Sequence, residues 1–563
     1  MKKYIIQLSL TLFSNLYLNA QCNQATNKVL VMGDSWSAFY WQYDSHNTNF
    51  DKYGFSDYKA YSTGASISPN SGALDLSQSG AEARNYLTSV KRGVIQSTFA
   101  NNPNIEFAQL SLGGNDFLNS WDTTWNQTQI NTLTAEVMDS VTSVINYLKQ
   151  LKPNLKILLS AYDYPNFQEA INGSSSHPYF ARWNAMNKPR FKQINDLLTQ
   201  VNTIIKNYAL AGSNLYFVDN LGLMQYVYGQ TTPLLFSPGG TYAPATVPFP
   251  GGNANYPSPL VAMNTYIFIK DAFHLSEDGF NYFVENQVKE FYFNQFRNYD
   301  LTTKNKPAES GYVNSTGAFS DTSVVVGNLS NTKHVGLLSF QITNLDITKT
   351  VSGVSIFLKR KRLYGSNPIG NYTLTLELKQ GDFGNSATPD NADFTAIADA
   401  TISACQYGSV NANEYWMRLD LPQTVSQQIT SNQTYQFRLG LDGNGNNALE
   451  FYSDMQTANA PFIDIKYTPV LSVKKQSLSI NDAPLRVFPN PIINNKCTVS
   501  FTKPFAGVLE LYDVLGNNIK SYCYTDVITN TNIVLPTISK GIYFLRAKAV
   551  DGKLVLDKKV IVE

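Results

Sequence analysis

A three-layer α/β/α sandwich followed by two all-β sandwich domains is the architecture that this 563-residue sequence predicts. Three observations carry that expectation. Between Lys28 and Arg297, short apolar runs alternate with longer segments whose apolar residues recur every three to four positions. From Ser320 to Pro469 the period falls to two, with turn residues between the runs. Residues 485–563 repeat that short period after a polar stretch.

The first region contains five strand candidates: "KVLVMG", "YKAYS", "IEFAQLSLGG", "LKILLSAY" and "NLYFVD". The segments "AEARNYLTSVKRGVIQSTF", "TLTAEVMDSVTSVINYLKQL" and "FKQINDLLTQVNTIIKNYAL" between them have helical spacing. Strand–helix alternation predicts a parallel sheet covered on both faces, with reactive groups gathered at the carboxyl ends of its strands. Regularity fails between Leu223 and Tyr266, where proline, glycine and aromatic residues crowd a long loop; such a loop beside a site is expected to shape its pocket. "LTTKNKPAESGYVNSTGAF" reads as a linker, and "SVKKQSLSINDAP" as a second one. The expected limits are 27–300 for the α/β domain, 318–469 for the middle β-sandwich and 485–563 for the last module.

Composition narrows the function. The 43 basic and 42 acidic residues balance, against the basic excess that nucleic-acid binding needs, so no nucleic acid is expected as a partner. Residues 1–20, "MKKYIIQLSLTLFSNLYLNA", have the charged start, apolar middle and small final residue of a secretory signal peptide cut after Ala20. Gln21 is too bulky for a lipoprotein signal at Cys22, and no later stretch has the length and apolarity of a membrane span. The mature chain is therefore expected to be secreted or attached to the outer surface. Of four cysteines, Cys497 and Cys523 lie in neighbouring predicted strands and can pair, whereas Cys22 and Cys405 look unrelated. "KRKR" at 359–362 reads as a solvated strand edge.

Chemistry enters with four short elements in order. "GDS" at 33–35 ends the first strand; a glycine turn follows at Gly64; "GGND" occupies 113–116; "DAFH" occupies 271–274. A serine hydroxyl needs a base to become nucleophilic, and an imidazole is the natural one near neutral pH. His274 has an aspartate, Asp271, three residues before it, which none of the other three histidines has. Taken singly, Ser35 fits a helix N-cap and Asn115–Asp116 an Asx turn. Asp34 and Asp116 read as loop braces. No "GxSxG" elbow and no "HExxH" or other metal-ligand spacing occurs, so neither metal nor cofactor is expected.

The ordered set resembles the SGNH, or GDSL-type, serine hydrolase superfamily over about half of the chain. That resemblance implies a flavodoxin-like parallel sheet and a catalytic triad of Ser35, His274 and Asp271. It also implies an oxyanion hole from the Ser35 and Gly64 backbone N–H groups and the Asn115 side chain. The implied activity is carboxylic-ester hydrolysis (esterase or lipase) through an acyl-enzyme, on a lipid, acylated-sugar or other small ester. Trp36 departs from the family's usual leucine; it is expected to pack behind the nucleophile. A different class of function, a non-catalytic adhesin or carbohydrate-binding protein on a repurposed SGNH domain, is disfavoured by the intact set.

The final segment, with "VFPNP", "LYDVLGN" and "SKGIYFLRA", resembles the type A C-terminal sorting domain of type IX secretion. That implies the secretion machinery as a partner. The close of the middle module, "LEFYSDMQTANAPFIDIKYTP", is similar to jelly-roll domains of the DNRLRE kind, which implies carbohydrate binding or a spacer role.

Overall fold

The computed structural model describes residues 18–19, 22–64, 72, 74–346, 348–365, 374–408, 413–442, 445–453, 458–468, 485–549 and 555–563. Apart from Leu18–Asn19, the signal-peptide reading lies outside the described residues, as does the second linker. The chain forms two compact units, Met1–Thr468 and Pro469–Glu563.

The first unit opens with the expected parallel sheet. Its strands are β1 (Thr26–Gly33), β2 (Tyr58–Tyr61), β3 (Phe107–Ser111), β4 (Lys156–Leu159) and β5 (Leu215–Phe217), in the order β2-β1-β3-β4-β5. The order reverses beside β1, so the crevice beyond the carboxyl ends of β1 and β3 is the place for a ligand. Val29, Leu30, Val31 and Met32 of β1 are all fully buried, which requires helices on both faces. Two of these helices are long. Gln127–Leu151 buries Val137, Val141, Val144, Ile145 and Leu148, and Phe191–Ala211 buries Ile194, Leu197, Leu198, Val201 and Ile205. Asn126 caps the former in a reciprocal box with Gln129.

Antiparallel strands build the rest of the unit around a second core of Val, Leu, Ile and Phe side chains. Here three expectations need correction. Residues 301–319 are no linker: Leu301–Lys304 pairs with Phe462–Thr468, and Gly311–Asn314 pairs with Thr332–Ile342. The β domain thus begins before residue 318; its Pro and Gly sit in turns and at a strand start, where they do not break the ladder. "KRKR" is not an edge either. It lies in the strand Thr350–Tyr364, which is paired on both sides, with Arg360 buried and Lys359 and Lys361 bridged to Glu414 and Glu450. Finally, Cys22 is disulfide-bonded to Cys405, with 5.3 Å between their Cα atoms. Pairing of residues 383 apart depends on tertiary contact that no spacing rule reveals.

The α/β and β portions share one core. Phe357, Trp416 and Phe462 of the β portion belong to the α/β hydrophobic cluster, meeting Phe55 and Phe293 at ring separations of 5.4–6.4 Å. The buried Arg418 guanidinium donates to Asp57 at 2.7 Å and stacks on Tyr407 and Phe55. Arg297 holds Asp464 through two N–H groups at 2.7 and 2.8 Å.

The second unit is a five-stranded antiparallel sheet over its own apolar core. Cys497 is buried and Cys523 exposed, both as free thiols. Although their strands pair, Cys497 faces Ile533 and Cys523 faces Val508, which puts them at different registers.

Candidate active site

Strand β1 ends on Gly33, and helix α1 (Ser35–Gln42) begins two residues later. The turn depends on glycine. Gly33 has φ +140°, and a Cβ there would lie 2.0 Å from the Ser111 carbonyl oxygen of β3. Asp34, not Ser35, is the N-cap: its Oδ1 accepts the Trp36 N–H at 3.0 Å. That leaves the Ser35 hydroxyl uncommitted to the helix and aimed at the imidazole.

His274 lies on β7 (Ile269–Leu275), which forms a hairpin with β6 (Met263–Tyr266) outside the parallel sheet. Its Nε2 is 2.7 Å from Ser35 Oγ, and its Nδ1 is 3.0 Å from Asp271 Oδ2. The other Asp271 oxygen accepts the backbone N–H groups of Phe273 and His274 at 2.7 and 2.8 Å, fixing the carboxylate. Burial pushes the Asp271 carboxyl up, but His274 and these donors outweigh it and hold it below the usual range. The helix Glu277–Gln287 starts only after this strand, capped by Ser276.

Asn115 sits in the first turn of the helix Gly114–Ser120, buried, with Nδ2 donating to the Ala81 carbonyl at 3.1 Å. Ser35, Asn115, Asp271 and His274 all line one cavity of about 290 Å³. Gly64, expected in the oxyanion hole, is not among the residues that line it. It has φ +105°, and an added Cβ would meet the Ser77 carbonyl at 2.3 Å, so its glycine serves a tight turn. The Ser77 N–H donates to Thr63 O, and Ser77 bridges to Gly33. The chain then delivers Ser79 and Gly80 to the cavity wall. Among the described residues the Ser35 and Gly80 N–H groups donate to nothing.

Two further expectations meet the structure here. Trp36 is fully buried in an edge-to-face cluster with Tyr162, Phe280 and Phe283, each at 5.2 Å, and does not touch the cavity. The Pro/aromatic loop contributes only Tyr266 to the cavity; the rest is tied down by Tyr164, Asn195 and Gln225. A different segment fills that place. After β4, residues 177–182 bring in His177, Tyr179 and Arg182. His177 Nε2 donates to the Lys270 carbonyl at 2.9 Å. Tyr179 Oη lies 2.9 Å from His274 Nδ1 and 3.5 Å from Asp271 Oδ2. Burial, then the Asp271 charge, keeps the Tyr179 phenol well above its usual range, so it remains a donor.

Asp34 and Asp116 brace the loops. Asp34 accepts from Trp36, Tyr162 and Ser111, and Asp116 accepts the Ala83 N–H at 3.1 Å. Complete burial raises the Asp34 carboxyl to about 7, despite the Tyr162 hydrogen bond. A carboxyl whose pKa rises on folding binds a proton as the chain folds. Its contribution is therefore complete below about pH 4 and declines, at about 1.4 kcal/mol per pH unit, as pH climbs towards 7. Asp34→Asn is expected to flatten the loss of stability across that window, measured as urea midpoints at successive pH values; an unchanged slope would show that Asp34 is ionised throughout.

The family model for the GDSL-like lipase/acylhydrolase matches residues 29–286, the span that contains this whole arrangement. The first domain is a GDSL-like lipase/acylhydrolase domain. A second model, the secretion system C-terminal sorting domain, matches residues 486–563, which marks the GDSL-domain protein for type IX export to the cell surface or beyond and implies contact with that machinery. No curated protein matches the chain. Among solved structures, a carbohydrate esterase family 3 protein from Talaromyces cellulolyticus is 11% identical, covering 48% of this chain and 99% of its own, with a TM-score of 0.27. A Bacteroides fragilis protein described as an acylhydrolase is 15% identical, covering 50% of this chain and 93% of its own, with a TM-score of 0.27. PorZ, a surface component of the Porphyromonas gingivalis type IX system, is 16% identical, covering 20% and 15%, with a TM-score of 0.12. Among the described residues of the GDSL-domain protein, no helix is long and apolar enough to cross a membrane, and no His/Cys/Asp/Glu cluster could hold a metal ion.

Proposed function

We propose that the GDSL domain is a serine carboxylic-ester hydrolase acting outside the cell on a lipid, acylated-sugar or other small ester. The observation that carries this reading is the Ser35 Oγ to His274 Nε2 distance of 2.7 Å, with Asp271 at the far side of the imidazole. With the Nδ1 proton held by Asp271, Nε2 is the basic nitrogen and faces the hydroxyl. Ser35 Oγ attacks the ester carbonyl as Nε2 takes its proton. The imidazolium then returns that proton to the departing alkoxide, leaving an acyl-serine. A water, deprotonated by the same nitrogen, attacks the acyl carbon and releases the acid and the free serine. Negative charge on the carbonyl oxygen would be met by the Ser35 N–H, the Gly80 N–H and Asn115 Nδ2. Gly80 takes the place in this reading that the sequence suggested for Gly64.

The experiment is hydrolysis of p-nitrophenyl acetate by the purified protein, together with treatment by a fluorophosphonate probe. Turnover and one probe adduct, mapped to the peptide carrying Ser35, are expected. Turnover that persists without modification of Ser35 would remove the nucleophile from the proposal.

A further inference from the structure

The cavity carries a charge that the ester chemistry does not use. Arg182, half-buried on the short helix Phe180–Ala185, lines the wall next to Asn115. Its guanidinium donates one N–H to Asn115 Oδ1 at 3.5 Å, and no carboxylate lies within ion-pair distance among the described residues. Lys270 lines the same cavity, its ammonium turned to the Met263 carbonyl at 3.0 Å. Among the described lining residues the one carboxylate, Asp271, already accepts two backbone N–H groups and faces the imidazole. Elsewhere the walls are largely apolar, with Phe39, Pro178, Tyr266, Ile269 and Phe273 among them.

A substrate filling this space strips water from the guanidinium. Leaving a cation dry and unpaired is costly, whereas a two-oxygen anion matches its planar fork. A neutral ester would be penalised there, and an ester carrying its own anion would not.

We infer that Arg182 forms an anion subsite beside the oxyanion wall, and that the natural substrate is an ester bearing a carboxylate within a few bonds of the scissile carbonyl. This rests on the ester-hydrolase reading above. Two placements of the carboxylate share this chemistry: on the acyl part, or on the alcohol part, as in an O-acetylated uronic acid.

The test compares kcat/KM in two matched pairs: p-nitrophenyl hemisuccinate against p-nitrophenyl butyrate, and an O-acetylated methyl glucuronoside against the corresponding glucoside. The anionic member of one pair is expected to be preferred by roughly 10-fold or more, the scale of a charged hydrogen bond. The preferred pair tells which side carries the charge. In Arg182→Ala that ratio falls to about one, and Arg182→Lys keeps part of it. Equal rates within both pairs, or a preference untouched in Arg182→Ala, overturns the inference while the hydrolase reading stands. Calorimetric titration of Ser35→Ala with succinate and glucuronate reads the subsite without turnover. Binding of one of them, lost when Arg182→Ala is added, supports the subsite even if no ester is cleaved; binding of neither counts against it.

Discussion

Asp271→Asn is expected to lower kcat about 10⁴-fold with the fold intact. The asparagine oxygen can still accept the Phe273 and His274 N–H groups that Asp271 Oδ1 accepts now. Its amide nitrogen then faces His274 Nδ1, where a carboxylate oxygen stood at 3.0 Å. Two donors cannot face each other, so the imidazole shifts its proton to Nε2. That nitrogen then presents a hydrogen to Ser35 and cannot take one away. Tyr179 adds a second handle on the same nitrogen, at 2.9 Å. Its hydroxyl can accept an Nδ1 proton, so the double variant Asp271→Asn/Tyr179→Phe is expected to be slower than Asp271→Asn alone. Single-turnover rates with p-nitrophenyl acetate measure both. A loss of less than tenfold in Asp271→Asn would mean that Asp271 does not set the tautomer.

Asn115→Ala is expected to reduce kcat by roughly 100- to 1000-fold with little change in KM. The amide is a neutral donor that keeps its hydrogens at every working pH, and one of them is spent on the Ala81 carbonyl. The other is available for a carbonyl oxygen that gains charge only as Ser35 attacks, so the interaction strengthens in the transition state. A rise in KM at constant kcat would instead describe a group that binds the ground state and transition state alike. Because Arg182 touches the Asn115 oxygen, the preference for anionic esters should be measured in the same variant.

Much of this was legible from residue order. The five parallel strands follow from short continuous apolar runs, and the helices Gln127–Leu151 and Phe191–Ala211 from their period, because each helix buries one continuous face. The Ser35, Asn115, Asp271 and His274 positions followed from motif order, and folding brings all four to one cavity. Three glycines follow β2 (Gly64, Gly72 and Gly80), and residue order does not say which of them reaches the cavity wall; the bridge that sets their surroundings, Gly33 to Ser77, is a single pair with no periodicity to read. Tyr179 and Arg182 carried no spacing signal at all. They reach the site because His177 and Tyr179 fasten their segment to the strand of His274. The stretch 301–319 looked like a linker because its strands are only four residues long at Leu301–Lys304 and Gly311–Asn314. Its partners lie far away in the sequence.

The bond between Cys22 and Cys405 closes a covalent ring around the entire catalytic domain. A protease that nicks any turn between those two positions would therefore release no fragment, since both pieces stay on one molecule until a reductant opens the ring. With Phe357, Trp416 and Phe462 seated in the catalytic domain's own core, the nicked enzyme keeps its lining residues in register. For a protein exported to the cell surface or beyond, a single cut inside that ring leaves both pieces joined.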